Sequence, residues 1–169
     1  MMNRILITLL ILVVGLSFTV SADIVPLLTV GGFGSANALS LSATSINYGP
    51  KVGLDLISKA TRLGLSAEVY LPVASITRGS TAISLQERIG LKKIFIGRRF
   101  TVPLMIGGSA KEEDILSPDR SWKFGIGGEI GFLIRIGNET AMNFNIGGDY
   151  FLDNTYDITA DVSIAFAFE

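Results

Sequence analysis

The chain has 169 residues, enough for one domain, with 49% hydrophobic and only 17% charged residues, below the roughly 25% charged content of soluble domains. A net charge of -1 leaves no basic footprint for nucleic acid. The absence of cysteine and histidine excludes a disulfide framework, a Ser-His-Asp triad, a Cys-His pair and the usual zinc sites.

Residues 1–22 read as a secretory signal peptide. Arg4 supplies the positive start, an apolar run follows, and Val20-Ser21-Ala22 offers small residues for cleavage before Asp23. The run is shorter than the about 20 apolar residues a spanning helix needs. Residues 23–169 then form the mature domain. Every later apolar segment is broken by glycine or charge, so a membrane protein built from it must be a barrel.

The stretch 24–46 is the least regular. Leu39, Leu41 and Ala43 alternate with Ser40, Ser42 and Thr44, and Gly31, Gly32 and Gly34 predict a bend or bulge before them. Residues 51–57 set Val52, Leu54 and Leu56 against Gly53 and Asp55. Residues 61–71 set Leu63, Leu65, Ala67, Val69 and Leu71 against Arg62, Gly64, Ser66, Glu68 and Tyr70. Residues 81–95 place Arg88 and Lys92 opposite Ile89 and Leu91, and residues 100–107 place Val102, Leu104 and Ile106 opposite Pro103 and Met105. From Ser121 onward three blocks alternate almost without a break. Trp122, Phe124, Ile126, Ile130 and Phe132 oppose Lys123, Gly127 and Glu129. Phe144, Ile146 and Tyr150 oppose Asn145 and Asp149. Ile158, Val162, Ile164 and Phe168 oppose Asp157, Asp161 and Ser163. Period two is the signature of a strand, so the chain predicts eight of them. Two residues resist the pattern: Glu87 falls on the apolar face, and Pro103 removes a ladder donor; a bulge near either would repair the parity.

Connections alternate between tight (58–60, 97–99, 137–139) and mostly longer (47–50, 74–80, 110–120, 153–155), as in barrels with short periplasmic turns and longer outer loops. The predicted fold is all-β: an eight-stranded antiparallel up-and-down transmembrane β-barrel. Its polar face would turn inward, carrying Asp55, Arg62, Glu68, Arg88, Lys92, Lys123, Glu129, Asp149 and Asp161. Eight strands leave room for side chains and little else, so these charges pair into a plug rather than line a pore. Trp122, Tyr150 and Tyr156 at one set of strand ends, and Phe100, Phe132 and Phe168 at the other, make two outward aromatic girdles.

On these features the chain resembles the small eight-stranded outer-membrane barrels of the OmpA/OmpX type. The residues carrying the resemblance are the signal peptide, the Val102-Pro103-Leu104-Met105-Ile106-Gly107-Gly108 strand, the glycine-rich block 122–131, and the alternating last strand ending in Phe168. The resemblance implies a bacterial outer-membrane location, lipid as the surrounding partner, and recognition of the C-terminal strand by the barrel-insertion machinery. It implies a structural or surface-interaction role with an unidentified surface partner, no catalysis and no cofactor. Such chains typically end in an aromatic residue; here Glu169 follows Phe168. The competing reading is a secreted or periplasmic lipocalin-like carrier, also eight-stranded, which would line its interior with apolar groups.

Other motifs yield to plainer readings. The glycines of 125–131 break the dinucleotide pattern at Ile130 and lie within a strand. Lys92, Lys93, Arg98 and Arg99 surround a tight turn, and Glu112, Glu113, Asp114 and Asp119 make an acidic loop. Asn138-Glu139-Thr140 matches a glycosylation sequon but sits at a hairpin turn.

Overall fold

The computed structural model describes residues 23–37, 46–75, 83–97, 101–113, 115 and 121–168. The alternating segments become β1 (Ile24–Asn37), β2 (Ile46–Ser58), β3 (Leu63–Tyr70), β4 (Ala74–Ser75), β5 (Leu85–Ile96), β6 (Thr101–Glu113), β7 (Ser121–Arg135), β8 (Thr140–Phe151) and β9 (Tyr156–Ala167). Each long strand pairs antiparallel with its chain neighbour, and β1 pairs with both β2 and β9. That last pairing closes the sheet into an eight-stranded barrel, leaving no open edge. The two-residue β4 pairs only with Asn47 and Tyr48 at the start of β2.

The wall is inside-out relative to a soluble domain. Ile106, Ile126 and Ile146 are exposed by 69%, 68% and 65%, while Arg88 and Asp149 are fully buried. In β9 the two classes alternate without exception from Tyr156 to Phe166. The pleat sends successive side chains to opposite faces, and here the polar set goes inward.

Several expectations need correction. The first strand is Ile24–Asn37, glycines included, and its register against β2 and β9 runs unshifted from end to end. No bulge forms there. Gly31 points inward against the Val162 carbonyl and Ser163, where a Cβ has no room, so glycine serves close strand approach rather than a bend. The Leu39–Thr44 alternation lies outside the described residues. The expected loop 47–50 belongs to β2, and Ala110 to Glu113 extend β6, so the first connection ends earlier, before Ile46, and the β6–β7 connection begins later, after Glu113, than the composition suggested. Pro103 brings no bulge: the β6–β7 ladder is interrupted across Val102 and Pro103 and resumes in the same register. Glu87 stays on the outer face, between inward Gln86 and Arg88, near the loop end of β5.

Candidate functional site

The strand registers bring a charge cluster to the middle of the lumen. Glu68 of β3 lies directly across from Arg88 of β5, and Asn145 of β8 lies across from Asp161 of β9. Inward alternation adds Lys51 and Asp55 from β2, Lys92 from β5, Glu129 from β7 and Asp149 from β8. Space for these long side chains comes from small neighbours. Gly127, for example, faces the Asp149 carboxylate and the Arg88 guanidinium so closely that a Cβ would collide with them.

Arg88 is the hub. Its guanidinium forks onto Asp149, with Nη2 2.6 Å from Oδ2 and Nε 3.1 Å from Oδ1. Bidentate pairing of this kind is among the strongest charge-assisted geometries. The remaining arm, Nη1, reaches Glu129 at 3.3 Å and Glu68 at 3.5 Å, and donates to the Tyr70 hydroxyl at 2.9 Å. Tyr70 in turn donates to Glu68 at 2.6 Å. Lys51 Nζ contacts Asp161 at 2.9 Å, Glu68 at 3.1 Å and Glu129 at 3.2 Å. Lys92 Nζ contacts Asp55 at 3.0 Å, Glu129 at 3.4 Å and Glu68 at 3.5 Å. Gln86 donates to Asp149 at 2.7 Å and Ser66 to Asp55 at 2.5 Å. Every charged member is sealed from solvent, and among the described residues five carboxylates face three cations.

A second ion-pair group sits at the loop end. Lys111 Nζ lies 2.7 Å from Asp157 Oδ2, and Lys123 Nζ bridges Glu113 at 3.1 Å and Asp153 at 3.0 Å. Here water reaches Glu113, Lys123 and Asp153, while Asp157 stays buried. Asp153 in the β8–β9 turn accepts from the Thr155 hydroxyl at 2.6 Å and its backbone N–H at 3.0 Å. Those two hydrogen bonds, with Lys123, lower its pKa to about 2.

Seven of the nine side chains expected inside (Asp55, Glu68, Arg88, Lys92, Glu129, Asp149 and Asp161) lie in the one central cluster. Lys123 does not join it; it lies at the mouth because it is only the third residue of β7. Arg62 is a correction. It is exposed in the β2–β3 turn with φ of 56°, beyond the end of β3, so strand parity does not apply to it. The structure adds Lys51, Tyr70 and Gln86. Lys51 shares inward parity with Gly53 and Asp55, the signal that could have found it. Tyr70 continues the face of Glu68, and its ring packs under Lys51 Nζ at 4.9 Å and Arg88 at 5.2 Å.

Of the aromatics, Trp122 stacks on Phe124 at 6.0 Å near the loop end, and Tyr150 donates to Asn154 at 2.7 Å. Phe132 stacks on Phe144 at 4.9 Å, and Tyr156 and Phe168 are exposed. Phe100 lies outside the described residues, as do Arg98, Arg99, Asp114 and Asp119. The lipocalin-like carrier is not supported, because the lumen holds paired charges where a carrier would hold an apolar cavity.

No protein-family model and no curated protein matches the chain. Solved structures do share its fold. Ail, the attachment invasion locus protein of Yersinia pestis, superposes with a TM-score of 0.62 at 8% identity, over 86% of this chain and 99% of that one. The neisserial surface protein A gives 0.58 at 8% identity over 86% and 97%. The N-terminal β-barrel domain of Pseudomonas aeruginosa OprF gives 0.57 at 13% identity over 84% and 97%. At such identities the shared property is the fold, that of the small eight-stranded outer-membrane barrels.

Proposed function

We propose that this chain is a non-enzymatic bacterial outer-membrane barrel with a structural or surface-interaction role, its lumen closed by the charge cluster around Arg88. One observation carries the reading: the wall exposes large aliphatic and aromatic side chains while burying the eight charged ones of the central cluster. Only lipid on the outside makes that partition favourable, since water would penalise the apolar belt and gain nothing from the sealed charges. The residues filling the lumen are tied to one another at hydrogen-bond distance, which favours a fastener over a conduit. Export by residues 1–22 and delivery through the C-terminal strand to the insertion machinery belong to the same proposal. The loop end, with its Lys111, Lys123, Glu113 and Asp153 pairs, is the surface offered to a partner.

Membrane fractionation with gel mobility before and after boiling tests the location. The expected result is recovery in the outer-membrane fraction and a heat-dependent mobility shift. A soluble periplasmic product would overturn the reading. Planar-bilayer recordings test the plug, with no large, stable conductance expected.

A further inference from the structure

We propose that the turn end of the wall holds the phosphate headgroup of an anionic phospholipid, at a site formed by Arg62 and Lys93. The site presupposes the outer-membrane location proposed above and gives it a lipid class. The two ends of the barrel treat their cations differently. At the mouth Lys111 is matched by Asp157, and Lys123 by Glu113 and Asp153. At the turn end Lys93 Nζ donates to a carbonyl oxygen, that of Thr61, at 2.5 Å. Neither Lys93 nor Arg62 has an ion pair among the described residues. The carboxylate bonded to this turn is Asp23, whose oxygens accept from the Ser58 hydroxyl at 2.8 Å and the Ala60 N–H at 3.3 Å. It stands against Lys59, Arg62 and Lys93, so positive charge is in excess there.

The backbone fixes the two cations beside each other. The Arg62 N–H donates to the Ser58 carbonyl at 2.7 Å, and the Arg62 carbonyl accepts from the Ile94 N–H at 2.9 Å, which ties the β2–β3 turn to β5 next to Lys93. Between those bonds Arg62 holds its φ of 56°, a conformation glycine or asparagine adopts with less strain. A strained residue that carries a guanidinium where glycine would serve the turn points to a use for the side chain. Lys93 shares the outer face with Leu91 and Phe95, both exposed. Its ammonium leaves that apolar wall for the turn, as a lysine at the rim of a lipid belt does.

The occupant needs a negative charge and an apolar body. Leu63 lies across from Lys93, and Leu65 across from Leu91. All three leucines are exposed, so an apolar bed runs from the two cations into the belt. A phosphodiester accepts charge-assisted hydrogen bonds from the guanidinium and the ammonium, while its acyl chains lie along the leucines. A zwitterionic lipid brings the same phosphate with an ammonium of its own, which the unmatched cations repel. A free phosphate would leave the leucines uncovered.

The test uses the full mature barrel in phosphatidylcholine nanodiscs, its folding checked by the heat-dependent gel shift. Phosphatidylglycerol or phosphatidylcholine, each spin-labelled near the headgroup end of an acyl chain, is added at the same low fraction. Broadening of the Leu63 and Lys93 backbone amide resonances is then measured. The anionic lipid should broaden both much more strongly than the zwitterionic one, and added salt should shrink the difference. Arg62→Asn, whose side chain accepts the left-handed backbone, and Lys93→Gln, which keeps a donor for the Thr61 carbonyl, should each cut the preference by about fivefold. Both should keep the heat shift, which separates lost binding from lost folding. Lys123→Gln, at the mouth, should keep the preference. Equal broadening by the two lipids in a barrel that shows its heat shift would overturn this inference and leave the outer-membrane reading in place, whereas a chain that never folds into the bilayer would overturn both. Wild-type preference in both turn-end variants would also overturn it. Saturable shifts of the same amides by inorganic phosphate in detergent, at the concentration of the lipid, would assign the site to a free anion and overturn the lipid assignment.

Discussion

The barrel carries two ion-pair groups with similar distances and different surroundings. In the middle of the lumen, Arg88 and Asp149 meet at 2.6 Å with no solvent exposure; at the mouth, Lys123 and Asp153 meet at 3.0 Å with their side chains 21% and 40% exposed. Distance alone would rank them close together. Desolvation separates them. A charge sealed in the lumen has no water to fall back on when its partner is removed, whereas an exposed charge regains hydration at once. Removing one member of the central group should therefore cost far more than removing one at the mouth.

The largest effect should come from removing the hub cation. Arg88→Gln takes one positive charge from Asp149, Glu129 and Glu68 together, and should cost about 3–5 kcal/mol. Urea unfolding in lipid vesicles measures it; a loss below about 1 kcal/mol would erase the distinction between lumen and mouth. Next is a charge on the wrong side of the same wall. Ile146→Arg places a guanidinium on the outer surface near mid-strand, where lipid exposure costs about 2–4 kcal/mol. Unimpaired folding into vesicles would contradict the lipid-facing assignment, and Ser163→Asn, on the inner face, is the tolerated control.

Removing an anion from the same cluster should be milder, and this sharpens the comparison. Without Glu129, Lys51 keeps Asp161 and Glu68, Lys92 keeps Asp55, and Arg88 keeps Asp149. Glu129→Gln therefore strands no cation and lowers the carboxylate excess. Its cost should stay within the about 0.5–1.5 kcal/mol of a lost hydrogen bond. If Glu129→Gln proves as damaging as Arg88→Gln, the excess is compensated by something other than the described side chains.

How far this was legible in the sequence follows from what each feature depends on. Inward and outward faces depend only on period two, so Glu68, Arg88, Glu129 and Asp161 could be placed without coordinates. Partners depend on register between distant strands. Nothing local to Lys51 points to Asp161, 110 residues away. Strand ends were harder still. Gly49-Pro50 reads as a turn, which hid Lys51, although Pro50 lies inside β2 across from Gly32. Arg62 failed for the opposite reason: alternation was extended into a turn whose positive φ breaks it. Gly31 looks like part of a bend because its role, close approach to β9, depends on a neighbour more than 100 residues later.

At the mouth, Glu113→Ala should change the unfolding free energy by less than about 0.5 kcal/mol. Lys123 retains Asp153 and Lys111 retains Asp157. Added salt should shrink even that difference, because exposed pairs are screened and buried ones much less so. A cost comparable to that of Arg88→Gln would mean that the mouth is part of the fastening.

The smallest effect concerns a proton. Asp153 is held to a pKa of about 2 by the Thr155 hydroxyl and N–H and by Lys123, in a turn where Asn154 adopts a φ of 64° that asparagine tolerates well. The folded value lies below the ordinary 3.8, so the ionised form is the one the fold favours. Whatever stability this adds is complete above pH 3.8 and is lost as the pH falls toward about 2. Because the carboxylate is exposed, the unfolding midpoint at neutral pH should not register it. A carboxyl-carbon NMR titration should: about 2 in the wild type, and a rise toward 3.8 in Thr155→Val, which removes the leading cause of the shift. A wild-type value already near 3.8 would mean that the turn does not hold this carboxylate, and that the Lys123 bridge to it is too loose to count as part of the mouth group.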